Sequence, residues 1–328
     1  MVYMNMAEFD PAFALHYNRD IYSNRLAHVE PIDLVRLDTA TLHPGDYIVS
    51  VGGDAVEEQI PPSFAAGDPV FINAAPRIKE VSKETVIVAR YGAGTWGHWL
   101  GELLPKIVMV EAAFPDRFSF AVPQTYHARG WQNFRESISA YGVPPERLVR
   151  LEPNCAYTFL RPWAVTPIWS DHVMHPDAAE LMRCQIRVPP ALEGARRIAL
   201  IRQRNAARVL ENWDEVSALL TGKGYAMIDI AQLSFSDQVR AFRDAATVFS
   251  TLGSGLTGLI YSPIGVAVTS VAPALFGDRF FYALVVNRQG RYADVRGPIS
   301  SPDPHIPHRG SFTVDPIHLA QALVAVET

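Results

Sequence analysis

Ile198-Ala-Leu-Ile-Arg-Gln-Arg204 and, later in the chain, Gly253-Ser-Gly-Leu-Thr-Gly258 decide the fold class. The first is a short apolar run ending in arginines. The second follows another apolar run and leads into helical text. Arg208, Asn212, Asp214-Glu215-Val216 and Ser234-Phe-Ser-Asp-Gln-Val239 lie between them. Alternation of short apolar runs with amphipathic segments is the pattern of successive β-α units in a parallel sheet. It predicts strands at Ile198–Arg202, Ala226–Ile230, Thr247–Leu252, Val266–Val271 and Tyr292–Val295, with helices near Asp214–Thr221, Phe235–Ala245, Leu256–Tyr261 and Asp278–Arg288. Asn212 with Glu215, and more loosely Ser234 with Asp237, have the spacing of capping boxes. Ligands of such sheets bind beyond the carboxyl ends of the strands, where glycines admit a phosphate and helix starts offer free N–H groups. A phosphorylated donor is therefore the leading ligand, and Arg202, Arg204, Arg208, Gly253, Ser254, Gly255, Leu256 and Thr257 are the candidate donor-binding residues. Gly-Ser-Gly also suits a plain strand-to-helix turn, and Arg208 with Glu215 also suits a surface ion pair.

Upstream, the text is less regular but also α/β. Strands are expected at Thr85–Arg90, Phe118–Val122 and Arg147–Leu151, and helices near Thr95–Ala113 and Trp131–Tyr141. Residues 1–80, with Pro61-Pro62 and Pro76, read as strands and irregular connections in front of that sheet. Pro189-Pro190, after helical text at Pro176–Arg187, is the best linker and divides the chain into domains 1–190 and 191–328. His98 and Glu102 stand four apart in the segment Gly97-His-Trp-Leu-Gly-Glu-Leu-Leu-Pro105, so a helix puts them on one face. They follow Gly92-Ala-Gly94 at the end of an expected strand. A surface pair on a helix is the competing reading, with Trp96 and Trp99 as core or as a platform for a sugar face.

The chain has 328 residues, 48% hydrophobic and 19% charged, the balance of a globular protein of about two domains. A net charge of −5 gives no bulk attraction to nucleic acid or anionic membrane, so phosphate binding must rest on local groups. Cys155 and Cys184 form no metal spacing or disulfide framework and suit a reducing compartment. The first residues lack the pattern of a secretory signal, and no apolar stretch approaches the ~20 residues that span a bilayer. A cytoplasmic protein is expected, with association at the inner face of a membrane left open.

The order and spacing of these motifs resemble the C-terminal half of family 61 glycosyltransferases, and Gly97–Pro105 resembles the motif of their N-terminal half. The resemblance runs from about Tyr91 to Pro298. It implies a GT-B-like fold, two Rossmann-type domains with an interdomain cleft: an acceptor-side domain, then a domain that binds a nucleotide sugar, UDP-linked. It also implies inverting transfer to a hydroxyl of a glycan or lipid-linked glycan. The family's acidic residue falls on Glu102, which makes Glu102 the expected base, with His98 orienting it or the acceptor. Gln238 matches the family's Ser-Phe-x-Glu-Gln segment, with Asp237 in place of the glutamate. Two positions depart. Leu252 stands where members commonly have histidine before Gly-Ala-Gly-Leu, and Ser270 or a neighbour stands at a commonly acidic position. Thr251, Ser254 and Ser270 are candidates to replace the lost hydrogen bonds. The alternative is a non-catalytic sugar- or nucleotide-binding relative.

No Asp-x-Asp triplet, dinucleotide fingerprint, Walker loop or nucleophile elbow occurs. His172 with His175, and His305 with His308, lack carboxylate or cysteine partners for a metal. With the diphosphate charge assigned to Arg202, Arg204 and the helix start at Gly253, no metal or other cofactor is expected. Transfer activity should therefore persist in excess EDTA; loss on chelation with recovery on added divalent metal would contradict that assignment.

Overall fold

The computed structural model describes residues 3–4, 30–45, 47–56, 77–90, 92–124, 128–170, 173–189, 196–201, 207–274, 276–301 and 310–327. The fold is α/β, and the chain divides into two compact units, Met1–Ala27 with Val188–Thr328, and His28–Arg187.

The first unit is built on a six-stranded sheet in the spatial order Tyr3–Met4, Arg291–Gly297, Ala267–Pro273, Thr247–Thr251, Arg197–Leu200 and Ala226–Ile228, with every neighbouring pair parallel. The expected strands are present because their apolar runs are buried on both faces; every residue of Thr247–Thr251 and Ala267–Pro273 is buried. The chain steps from Arg197–Leu200 to one side, to Ala226–Ile228, and then crosses to Thr247–Thr251 on the other. The winding thus reverses between Arg197–Leu200 and Thr247–Thr251, and ligands of such sheets bind beyond the carboxyl ends of the strands at such a switch point. The strand Tyr3–Met4 pairs with Ala293 and Asp294, so the N-terminal strand belongs to this sheet.

Local signals and tertiary contacts compete at the helix starts. Ser234 caps as its spacing predicts, its Oγ accepting from Asp237 N–H at 3.1 Å. Asn212 does not cap. Its Oδ1 accepts from Val314 N–H at 3.1 Å, while its Nδ2 donates to the Val314 carbonyl at 2.8 Å and to Glu215 Oε2 at 3.1 Å. This two-way clamp on the strand-like Ser311–Val314 segment outweighs a local cap. The segment expected as a helix at Leu256–Tyr261 is a 3-10 helix, Ser254–Tyr261. Gly255 and Gly258 weaken an α-helix there. A Cβ on Gly258 would lie 2.0 Å from Phe242 Cε2, so only glycine lets this turn pack on helix Phe235–Asp244.

The second unit holds two five-stranded sheets. One runs Leu34–Arg36, Pro162–Val165, Thr85–Ile87, Ser119–Pro123 and Leu148–Leu151, the last four parallel. It contains the three strands expected upstream. The other runs Asp54–Ala55, Val49–Val51, Ala40–Leu42, Cys155–Phe159 and Arg77–Val81, antiparallel except for its last pair. Leu42, Val49, Tyr157 and Phe159 share a core with Ile87, Ala121 and Leu151 of the first sheet.

Strand Arg291–Gly297 carries a buried ion pair. Asp294 and Arg296 stand two apart, on one face, with side chains 0% exposed. The guanidinium pairs with Asp294 Oδ2 and donates to the carbonyls of Phe276 and, at 3.3 Å, Pro273. Ser270 Oγ reaches Asp294 Oδ1 at 3.3 Å and Tyr292 Oη at 2.7 Å. Asp294→Ala leaves a buried guanidinium without its counter-charge and should cost about 3–5 kcal/mol in guanidinium-chloride unfolding. A change below ~1 kcal/mol would contradict the burial of this pair.

Candidate active site

Pro105 shapes the segment that carries His98 and Glu102. It has no N–H to give the carbonyl four residues back, that of Gly101, and its ring crowds that carbonyl. The helical run accordingly widens: a turn at Trp96–His98 passes into a π turn, Trp99–Leu103, before helix Leu104–Ala113. Leu104 N–H closes on Trp99 O, five residues back. The carbonyl of Gly101 that Pro105 leaves over accepts from Trp169 Nε1 at 2.7 Å. Trp99 is fully buried, stacked on Phe134 at 4.3 Å, and donates to Ser137 Oγ at 2.9 Å. It is core, and of the two tryptophans only half-buried Trp96 retains exposed surface.

The expected pair meets. Glu102 accepts from His98 through Oε1 and pairs with Arg90 through Oε2. Arg90 lies just beyond strand Thr85–Ile87, and its Nη2 is 3.1 Å from His98 Nδ1. One nitrogen cannot donate to the carboxylate and accept from Arg90 together. The ionised acceptor wins because a charge-assisted hydrogen bond is the stronger one, which directs Nδ1–H at Glu102 and leaves Nε2 as the acceptor nitrogen. The Glu102 side chain is 11% exposed and that of His98 42%. Gly92 flanks the ring: it has φ +76°, and a Cβ there would approach His98 Cδ2 to 3.3 Å and Nε2 to 3.6 Å. Glycine thus relieves backbone strain and keeps the side of the ring that bears Nε2 uncrowded.

Burial acts most strongly on the Glu102 carboxyl, opposing its charge. The hydrogen bond from His98 and the charge of Arg90 outweigh it and hold the carboxyl below its usual range. One turn on, Lys106 is buried and donates to the Val165 carbonyl at 2.8 Å. Burial pushes its ammonium down to about 8, against the pull of Glu102.

The described donor candidates follow strands Arg197–Leu200 and Thr247–Thr251 of the six-stranded sheet. Gly253 continues strand Thr247–Thr251 in extended conformation, and the 3-10 helix starts at Ser254. A Cβ on Gly255 would lie 3.4 Å from Ile230 Cγ2 and 3.6 Å from Leu200 Cδ1, so the loop overlies the end of the neighbouring strand Arg197–Leu200 and the turn that follows Ala226–Ile228. Ser254 and Gly255 are partly exposed; Leu256 and Thr257 are buried. Thr257 therefore offers no hydroxyl to an open surface. Arg208 adopts φ +60°, uncommon for a side chain of its size, and its guanidinium stacks on the Phe276 ring at 4.2 Å. Arg202 and Arg204 lie outside the described residues.

The two departures have physical counterparts. Leu252 is fully buried, a core position. Ser270 is buried as well, and its hydroxyl is engaged with Tyr292 and Asp294, so it does not replace a lost ligand contact. A carboxylate does stand beside it, contributed by Asp294 on the adjacent strand. Gln238 packs against its own helix start, Nε2 donating to the Leu233 carbonyl at 3.3 Å. His175 serves as an N-cap, accepting from Asp177 N–H at 3.2 Å; His172, His305 and His308 lie outside the described residues. Among the described residues no cluster of three or more His, Cys, Asp or Glu side chains suits a metal ion, and no helix is long and apolar enough to cross a membrane.

The fold is α/β, with a parallel sheet whose winding reverses and a Glu-His-Arg constellation after another parallel strand. Residues 96–269, more than half of the chain, match the family model described as Glycosyltransferase 61, and the chain belongs to that family. Its general activity is glycosyl transfer, and its general partners are a sugar donor and an acceptor. No curated protein sequence matches the chain. Arg90 and Lys106 are the site residues that motif reading missed. For Arg90 a signal existed, an arginine at the carboxyl end of an expected strand before Gly-Ala-Gly; Lys106 in apolar helical text gave none.

Lys106 makes stability depend on pH in a defined direction. Its folded pKa of about 8 lies below the ordinary 10.5, so between these values the unfolded chain holds more protons and stability rises with pH. The burden is complete below about 8. Relative to Lys106→Met, the wild type should gain a few kcal/mol between pH 8 and 10.5, measured as the difference of two unfolding series. A flat difference would mean that the ammonium is solvated.

Proposed function

We propose that this glycosyltransferase is an inverting, metal-independent enzyme of the GT-B type. One α/β unit holds a nucleotide-sugar donor, UDP-linked, and the other supplies the base that activates a hydroxyl of a glycan or lipid-linked glycan. The observation that carries the reading is the saturation of Glu102: both carboxylate oxygens are engaged, one by His98 and one by Arg90, and the carboxyl is held ionised. A carboxylate so engaged is a poor proton acceptor but a good anchor. We therefore give the base to His98 Nε2, with Glu102 fixing the tautomer and Arg90 fixing Glu102, an exchange of the roles expected from sequence. This is the logic by which a carboxylate orients a catalytic imidazole in hydrolase triads.

The acceptor oxygen attacks the anomeric carbon as its proton passes to Nε2, and the nucleoside diphosphate leaves from the opposite face. The imidazolium that forms is stabilised by the adjacent carboxylate. At the switch point of the six-stranded sheet, the partly exposed Ser254–Gly255 backbone and the stacked guanidinium of Arg208 are suited to a diphosphate, with Arg202 and Arg204 assigned to the same group. Two free cysteines fit action from the cytoplasm.

His98→Ala should lower kcat about 10²–10⁴-fold, with nucleoside-diphosphate affinity within about twofold of wild type. Glu102→Gln, which retains an acceptor oxygen for Nδ1–H, should cost less. The anomeric configuration of the product, read by NMR, should be inverted relative to the donor. An inactive Glu102→Gln beside an active His98→Ala would return the base to Glu102. Full activity in both variants would remove the constellation from the chemistry. Donor binding without turnover on any glycan would favour the sugar-binding alternative, which Leu252 in place of histidine and the lost acidic position near Ser270 motivate.

A further inference from the structure

Beside the His98 constellation, on the same sheet edge, lies a polar cleft that the transfer chemistry does not use. Strands Thr85–Ile87, Ser119–Pro123 and Leu148–Leu151 are parallel neighbours, so their carboxyl ends form one edge. The first leads to Arg90 and His98, the second ends beside Gln124, and the third carries Arg150 and ends beside Glu152. A cleft of about 660 Å3 opens there, lined by Arg77, Gln124, Arg150, Glu152 and Asn154 among others. That size is typical of small-ligand sites, roughly 300–1,000 Å3. Its floor is rigid. Glu152 O accepts from Cys155 N–H at 3.2 Å, closing the turn, while the Tyr157 hydroxyl donates to the Arg150 carbonyl at 3.0 Å and accepts from Glu152 N–H at 2.9 Å. Gln124 N–H donates to the Leu151 carbonyl at 3.0 Å.

Among the described residues of this cleft the positive charges outnumber the negative ones. Glu152 is taken by Lys79 at 2.6 Å and by the Cys155 thiol at 3.4 Å. Among the described residues, Arg77 and Arg150 have no carboxylate in ion-pair contact. Arg150 instead lies over the Trp131 ring, 4.6 Å from its centroid, a stack that presents a guanidinium edge-on. A concentration of positive charge in a chain of net charge −5 attracts anions locally. Side-chain amides of Gln124 and Asn154 beside it match sugar hydroxyls, as donors and acceptors together. Two strand spacings, about 10 Å, separate this edge position from the strand that leads to His98, the span of a short saccharide.

We propose that this cleft binds an anionic sugar of the acceptor, a residue bearing a carboxylate, one or two units from the hydroxyl that His98 activates. Arg77 and Arg150 take the carboxylate, and Gln124 and Asn154 take ring hydroxyls. The proposal rests on the assignment of acceptor activation to this unit. It specifies what that assignment leaves open, an acidic rather than a neutral glycan.

The test is calorimetric titration of the full chain with tetragalacturonate and with neutral maltotetraose, without donor, so that it reads the cleft and not turnover. The acidic saccharide should bind on the order of 10- to 100-fold more tightly, the effect of one or two charge-assisted contacts. That preference should shrink in Arg150→Gln and vanish in Arg77→Gln/Arg150→Gln. Arg36→Gln, an exposed arginine on a different strand, should keep it and so exclude general attraction of a polyanion. The substituted arginines are exposed, so the variants should melt as the wild type does. Equal binding of the two saccharides, binding of neither, or a preference that survives the double substitution would overturn the proposal and leave the assignment of the base standing. A preference lost in Arg36→Gln as well would also overturn it.

Discussion

Pro105 cannot donate to Gly101, and the site in the His28–Arg187 unit is organised around that missing hydrogen bond. An unbroken α-helix would satisfy the Gly101 carbonyl internally. Here the helix opens into a π turn, Trp169 takes the carbonyl, and Glu102 is set among Arg90, His98 and the buried Lys106. Two cationic or proton-donating groups, Arg90 and His98, occupy the two oxygens of this nearly buried carboxylate. It stays ionised, because the hydrogen bond from His98 and the charge of Arg90 stabilise the charged form. Local helical irregularity of this kind is common where function requires a side chain to be aimed. Its origin here is one residue.

The unit that carries the six-stranded sheet solves a different problem. Under the proposed function a donor diphosphate needs cationic and N–H groups at a strand end, and the switch point follows from topology: the chain winds one way from Arg197–Leu200 and the other way to Thr247–Thr251. Near it, Asp294 and Arg296 are fully buried, and Arg296 holds the carbonyl of Phe276, whose ring carries Arg208. The buried pair thus supports a guanidinium in the segment that follows Arg197–Leu200. Replacement of such a pair by apolar residues often preserves stability.

The parallel strands were legible because burial on both faces writes them as unbroken apolar runs, as in Thr247–Thr251. The adjacency of His98 and Glu102 was legible because helical spacing fixes it. Less could be read where distant residues decide the outcome. Asn212 carries the spacing of a cap but is claimed by Val314. Tyr3–Met4 gains its strand character only from Arg291–Gly297. The largely antiparallel sheet of the second unit is made of strands two to five residues long, too short to show a period. The surroundings of Glu102 were hidden for a related reason. Sequence displays a carboxylate at the right place, but not that Arg90 occupies its second oxygen. At Ser270 a missing carboxylate was inferred, while Asp294 stood beside it on the neighbouring strand.

The central claim is that Glu102 fixes His98 as the Nδ1–H tautomer, so that Nε2 is free to take a proton. Two-bond nitrogen–proton correlation NMR of the imidazole reads this directly, since a protonated and an unprotonated ring nitrogen have separate chemical shifts. The neutral ring of His98 should show Nδ1 protonated and Nε2 unprotonated, and removal of the acceptor in Glu102→Ala should erase the preference. A neutral His98 that carries its proton on Nε2 in the wild type would contradict the account.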